Sequence, residues 1–340
     1  MKKSLFKEQL VIERDSLIEK FLAAHGWQGA QRTPQGGDAS FRCYERLAQG
    51  GRKAMLMDAM GPDENIDVFV AIARHLKSLG FSAPDIFAKA KLDNLLLLED
   101  LGDETYTKIL EKSADREAEL YGLAVDVLIA LHGIAPKYVA PPGLPSYDDE
   151  KLLEEAVLLT DWTLPRFIGA PLDPKIRGAY RDAWLQIFPA VHQQPQTLVL
   201  RDFHVDNLMA LAGRDGIARC GLLDFQDAVI GPGAYDLMSL LEDARRDIAP
   251  TLKATMLDRY FAAFPDLGRK EFEAVFAILA AQRHAKVIGI FTRLSVRDSK
   301  PAYLPHIPRV WRLLEEALAH PAVRPVQAWF EAHVPPEHRS

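Results

Sequence analysis

The spacing of apolar positions changes character near residue 100, and the change sorts the chain into two parts. Leu10, Leu17, Phe21 and Leu22 recur at helical spacing, which predicts an amphipathic helix ending near His25-Gly26. The stretch that follows reads as strands: residues 41–47, 54–59 and 95–98 are short, β-compatible runs separated by Gly-rich turns. Between them, residues 67–79 keep helical spacing and close on Gly80. After Gly102 the pattern lengthens. Leu120, Ala124, Val127, Leu128 and Leu131 mark a long helix with a buried face. A Pro/Gly-rich loop at 141–145 precedes two further expected helices, 148–159 and 174–193. Two short apolar runs between Thr197 and Leu223 flank the turn Arg214-Asp215-Gly216 and read as a hairpin. From Ala234 onward the chain is mostly helical, with no internal repeat. The expected boundary is Glu99-Asp100-Leu101-Gly102, which gives a β-rich part over 1–102 and a helix-rich part over 103–340.

Composition narrows the picture by exclusion. Of 340 residues, 48% are hydrophobic and 26% charged, enough for a large core. The net charge of −6 leaves no electrostatic footprint for nucleic acid and suits an anionic membrane poorly, so neither is expected as a partner. The two cysteines, Cys43 and Cys220, have no CxxC spacing, which argues against a disulfide framework or a structural zinc site and for a reducing compartment. The opening MKKSLFKEQLVIERDS lacks the apolar stretch of a signal peptide, and no apolar run reaches the ~18 residues of a spanning helix. A cytoplasmic protein is the expectation.

The chemistry concentrates in Leu200-Arg201-Asp202-Phe203-His204-Val205-Asp206-Asn207 and, beyond the hairpin, Asp224-Phe225-Gln226. Phosphoryl transfer needs a carboxylate to take or orient the acceptor's hydroxyl proton, and oxygen ligands that hold Mg²⁺ against nucleotide phosphates. Asp202 and Asn207 have the D-x-x-x-x-N spacing of such a site, and Asp224 follows an apolar strand as a second metal ligand should. A bare D-x-x-x-x-N arises often by chance, but its combination with a Gly-marked hairpin and a following D-F does not.

At these residues the chain resembles the aminoglycoside phosphotransferase and choline kinase superfamily. Within it, the chain is similar to the bacterial anomeric kinases of N-acetylmuramate and N-acetylglucosamine. The similarity extends to residues 37–42, 98–102, 231–237 and 282–291. The resemblance implies an α+β, bilobal protein-kinase-like fold with a small β-rich N-lobe and a larger, mainly helical C-lobe. It implies ATP and Mg²⁺ as cofactors, Asp202 as catalytic base, and Asn207 and Asp224 as metal ligands. The acceptor would be the anomeric hydroxyl of an N-acetylated amino sugar, giving a sugar 1-phosphate in cell-wall recycling. Two departures stand out. Leu200 occupies a position where histidine is common. The phosphate-binding lysine of the third strand is missing from Ala54-Met55-Leu56-Met57-Asp58, with Lys53 too early to replace it. Arg42 is the candidate substitute. The competing readings are a kinase of choline, homoserine or an aminoglycoside, and a non-catalytic nucleotide-binding protein.

Supporting positions follow. Gly37, Asp38 and Ser40 form a turn whose backbone can approach phosphate. Glu99 and Leu101 fall in the hinge of such a fold, where backbone groups recognise adenine. Asp236 is expected to hold the backbone of the catalytic loop. His204 is expected to bond a backbone carbonyl or to touch the acceptor; Gln226 and Asp227 are candidates by position alone. Arg283 interrupts the helical stripe of Phe272, Phe276, Leu279, Val287, Ile290 and Leu294, so it needs a core carboxylate or a substrate anion. Lys286 and Arg293 are expected to be solvated. Trp162 either packs in the core or stacks on a sugar face.

Overall fold

The structure is a computed structural model that describes residues 2–36, 42–60 and 65–339, with side chains from residue 12 onward. Two compact units divide the chain: Met1–Glu104 with Met209–Gln226, and Thr105–Leu208 with Asp227–Ser340. A single cut at residue 102 does not anticipate the return of 209–226 to the first unit.

The first unit begins with helix α1 (Lys2–Ala24) and the strands β1 (Gln31–Gln35), β2 (Arg42–Gln49) and β3 (Arg52–Ala59). Helix α2 (Ile66–Ser78) and strands β4 (Ile86–Ala90) and β5 (Leu95–Leu98) complete it. The sheet order is β1-β2-β3-β5-β4, antiparallel throughout. β1 reads Gln-Arg-Thr-Pro-Gln, with no apolar run to reveal it, and Pro34 is tolerated because the strand lies at the sheet edge.

Side chains alternate across a sheet with period two, so the register assigns each residue a face. Leu47, Ala54, Leu56, Leu95 and Leu97 form one core with Ile18, Phe21 and Leu22 of α1 and with Trp27. Asp58 shares that face and is only 6% exposed. It is matched by Arg14 of α1, 2.5 Å away, which also donates to the Asp93 carbonyl. The opposite face is set by the pairs Arg42↔Ala59, Tyr44↔Met57 and Arg46↔Met55, continued by Met55↔Leu98 and Met57↔Leu96. Arg42 stands on this second face, with Met55 and Met57.

The segment Met209–Gln226 is tied to the connection between α2 and β4. Leu222 N donates to Ser82 O (2.7 Å), and Ser82 Oγ donates to Ala218 O (2.6 Å). Gly221 fits closely at the junction. A Cβ there would lie 3.0 Å from Leu211 Cδ1 and Met209 Cβ and 3.2 Å from Leu101 Cδ1.

The second unit is built on the helix Arg269–Arg297. Every residue from Val275 to Gly289 is buried, so this helix is enclosed all round rather than along one stripe. It is the one described helix long and apolar enough to cross a bilayer, yet 83% of that apolar window is buried inside the protein. The expected helix 148–159 ends at Ala156 and passes into a π-helical turn, Leu159–Thr163, a form often found at functional sites. The expected helix 174–193 stops at Leu185 and resumes at Phe188–Val191, with Pro189 in the first turn of the new helix. The pairing between 197 and 223 also differs from expectation. The strand Gln196–Val199 pairs with Val229–Pro232, and the hairpin formed by Leu208–Ala210 and Cys220–Leu222 is nested within that longer-range pair.

Candidate active site

The strand Gln196–Val199 delivers the chain to Leu200 and Arg201. Arg201 has a left-handed backbone, φ +69°, a conformation that costs a non-glycine residue energy and must be held by its surroundings. Asp236, on the helix Ala234–Leu241 and fully buried, does the holding. Its two carboxylate oxygens accept from Leu200 N (2.6 Å) and Arg201 N (2.9 Å). Burial pushes the Asp236 carboxyl up to about 7, against the pull of those two backbone N–H groups. Ser239 Oγ adds a third tie by donating to Arg201 O (3.3 Å).

The Arg201 guanidinium is paired with Glu155 and donates to the Asp227 carbonyl (3.2 Å). Glu155 is 5% exposed and anchors a cluster. Lys286 Nζ lies 3.1 Å from it, Tyr147 donates its hydroxyl hydrogen at 2.5 Å, and Gln282 Nε2 donates at 3.2 Å. Burial alone would raise the Glu155 carboxyl; Lys286 and Arg201 outweigh it, and the group is held below the ordinary range. Asp202 follows the same logic. Desolvation acts upward, but Lys286, Arg283, His204 and Arg201 together hold the carboxyl below its usual value. Asp202 is therefore an anion at neutral pH.

Asn207 ends the short 3₁₀ turn Val205–Asn207. Its Nδ2 donates to Asp202 O (2.9 Å) and lies 3.4 Å from His204 Nε2, which turns Oδ1 to the other side. His204 is 5% exposed, and its ring bonds no backbone carbonyl among the described residues, unlike the sequence expectation. Asp206 is fixed by Thr107 and by Arg245 Nε at 3.4 Å. Trp162 is half-buried within the π-helical turn.

In the first unit Asp224 also has a left-handed backbone, φ +56°. Its carboxylate, 44% exposed, has Oδ1 3.5 Å from Arg42 Nη1 and accepts from Gln226 Nε2 at 2.8 Å. Left-handed non-glycine residues are uncommon, and Arg201 and Asp224 are two of four among the described residues. The hinge segment is cross-braced. Glu99 pairs with Arg214 and accepts from Asp85 N, while Arg46 pairs with Asp100 and Asp103 (both 2.7 Å) and donates to Gly102 O. Leu101 packs toward Gly221. Gly37, Asp38 and Ser40 lie outside the described residues.

The second unit thus gathers Asp202, His204 and Asn207, with Arg283 acting on Asp202; the first gathers Arg42, Asp224 and Gln226. Sequence reasoning missed Glu155 and Tyr147. A signal for Glu155 existed, since it stands three residues after Leu152, on the buried side of its helix. Lys286 is corrected: it is 8% exposed and ion-paired, not solvated, because its helix has no solvent face there.

Among the described residues no three His, Cys, Asp or Glu side chains group as a metal cage. The Asn207 amide oxygen in the second unit and the Asp224 carboxylate in the first are each hard oxygen donors of the kind that suits Mg²⁺.

The profile of the phosphotransferase enzyme family, APH, matches residues 31–272. The chain is 38% identical to an N-acetylmuramate/N-acetylglucosamine kinase of Caulobacter vibrioides, over 96% of this chain and 98% of the relative. It is 35% identical to the protein of the same name from Pseudomonas aeruginosa, over 92% of each. Among solved structures, an ADP-bound aminoglycoside phosphotransferase superposes with a TM-score of 0.59 at 15% identity, covering 90% of this chain and 98% of the other; at that identity the likeness is one of fold. The α+β, kinase-like architecture with its β-rich and helix-rich parts is the one these enzymes share. With a family profile spanning most of its length and relatives above 30% identity aligned nearly end to end, the chain belongs to the APH phosphotransferase enzyme family.

Proposed function

We propose that the protein is an ATP- and Mg²⁺-dependent kinase that phosphorylates the anomeric hydroxyl of N-acetylmuramate and N-acetylglucosamine. The products would be sugar 1-phosphates, in a cytoplasmic step of cell-wall recycling. One observation carries the reading: Asp202 is kept anionic by its cationic neighbours while Asp236 pins the backbone that aims it. The sugar names come from the relatives aligned over nearly the whole chain.

A carboxylate held below its usual range is a weak base, so Asp202 acts mainly by accepting a hydrogen bond from the acceptor hydroxyl and orienting it. That suits a loose phosphoryl-transfer transition state, in which little negative charge must be generated on the nucleophile. Asn207, through Oδ1, and Asp224 would hold the metal, which when bound supplies positive charge against the phosphate oxygens. Arg42, on the sheet face of Met55 and Met57 and 3.5 Å from Asp224, would supply the protein's own cation for the phosphates. The hinge backbone at Glu99 and Leu101 would receive adenine, and Gly37, Asp38 and Ser40 would approach the phosphates. His204, Gln226, Asp227 and Trp162 are the acceptor-side candidates.

The test is ATP consumption with and without Mg²⁺ against N-acetylmuramate, N-acetylglucosamine, choline, homoserine and an aminoglycoside, with the product's phosphate position read by ³¹P NMR. Turnover of the two sugars to 1-phosphates is expected. Asp202→Ala should abolish transfer and retain nucleotide binding. Preferential turnover of choline, homoserine or the aminoglycoside would refute the acceptor assignment, and near-normal turnover by Asp202→Ala would refute the role given to that residue.

A further inference from the structure

We propose that Arg283 is a specificity-determining residue that binds the carboxylate of a sugar acid, so that the acceptor site distinguishes N-acetylmuramate from the neutral N-acetylglucosamine. The proposal deepens the kinase reading and rests on it. These two sugars differ by a lactyl ether ending in a carboxylate.

The argument begins with what the helix Arg269–Arg297 does with its other polar side chains. Gln282 donates to Leu152 O (2.9 Å) and Glu155. His284 bonds Glu242 (2.7 Å), and Lys286 pairs with Glu155 (3.1 Å). Arg283 sits among them at 4% exposure, yet its side chain donates to no described residue, and its Nη1 is buried without a partner. A guanidinium carries five donors and stays charged, so enclosing it unpaired is costly. The sequence left open a core carboxylate as its partner. Asp202 feels the Arg283 charge but accepts no hydrogen bond from it, and three other buried carboxylates of this unit are already committed. Glu155 serves Arg201 and Lys286, Glu242 serves His284 and Lys253, and Asp236 serves two backbone N–H groups.

The location then selects the ligand. Arg283 and Lys286 are one turn apart on the same helix and are the two largest cationic influences on Asp202. An anion met by Arg283 therefore lies close to the group that orients the acceptor hydroxyl, as a carboxylate carried by the acceptor itself would. A guanidinium fork matches a carboxylate with two parallel hydrogen bonds, a geometry lysine does not reproduce.

The experiment measures KM for both sugars and for ATP in the native enzyme, Arg283→Met and Arg283→Lys. KM does not depend on the fraction of molecules folded, so a loss of stability alone cannot mimic the result. Arg283→Met should raise the ratio of the N-acetylmuramate KM to the N-acetylglucosamine KM by about 10- to 100-fold, the range expected for a hydrogen-bonded charge. Arg283→Lys should fall between, since it keeps charge without the fork. An unchanged ratio, or a rise confined to the ATP KM, overturns the inference while leaving the kinase reading intact. A native enzyme that phosphorylates neither sugar overturns both.

Discussion

Gly289→Ala tests whether the central helix is set by the backbone of the π-helical turn. A Cβ on Gly289 would lie 2.4 Å from the Leu158 carbonyl carbon and 2.6 Å from Leu158 O and Cβ. Two of these three atoms are backbone, so no rotamer change relieves the contact, and the helix and the turn must separate by about 1 Å to reach ordinary van der Waals distance. Separation also stretches the buried contact between Thr163 Oγ1 and Thr292 Oγ1, now 3.0 Å. Overpacking of this kind costs about 1–3 kcal/mol, and a weakened buried hydrogen bond about 1 kcal/mol more. Against this, alanine gains about 1 kcal/mol over glycine in a helix interior, so net destabilisation of about 1–3 kcal/mol is expected. Gly122, in the helix Glu117–His132, is the control: an added Cβ meets nothing within 4 Å apart from its own helix backbone. Gly122→Ala should stabilise by up to about 1 kcal/mol. Urea denaturation of both variants gives the comparison, with the midpoint falling for Gly289→Ala and holding or rising for Gly122→Ala. A Gly289→Ala midpoint at or above the native value would refute the close-approach argument, and so would an equal fall in both variants.

Three further outcomes are expected. Glu155→Gln leaves Arg201 and Lys286 buried without their carboxylate and should cost about 3–5 kcal/mol in the same denaturation assay. Because Glu155 and Asp202 are both held below their unfolded values, the stability they lend is present above about pH 4 and is lost as pH falls through the lower folded values. That acid loss should shrink in Glu155→Gln, and an unchanged acid limb would count against the cluster. Asp236→Asn keeps one acceptor but turns an amide toward a backbone N–H, leaving a buried donor unmatched at about 1–3 kcal/mol; a variant with native stability and native kcat would contradict its role in holding the loop. Arg42→Met should raise the ATP KM about tenfold or more while leaving the denaturation midpoint near native, and an unchanged ATP KM would return the phosphate cation to another residue.

What the sequence made visible was whatever a short span decides. The helix α2, the strand β5 and the D-x-x-x-x-N loop each rest on patterns within about a dozen residues, and each stands within a residue or two of where the pattern puts it. β1 escaped notice because an edge strand needs no buried face, and Gln31–Gln35 offers no apolar residue to count. The true partner of Gln196–Val199 escaped for a different reason. A Gly-marked turn announces the nested hairpin, whereas pairing with Val229–Pro232 closes a loop of some thirty residues that no local signal marks.

The site divides along the same line, and the division bears on mechanism. Asp202 and Asn207 could be named from spacing because their geometry is a loop's own geometry. The charge state of Asp202 is set elsewhere, by Lys286 and Arg283 on a helix some eighty residues away in sequence. Reading that helix as a single apolar stripe sent Lys286 to solvent, when enclosure on all sides favours a partner for each polar side chain. Gln282, His284 and Lys286 find theirs within the protein. Arg283 acts on Asp202 by its charge but donates no hydrogen bond among the described residues, and its buried Nη1 makes it a question about the ligand as well as about the core. A buried polar side chain is thus most informative where the protein has left its partner to be supplied by what it binds.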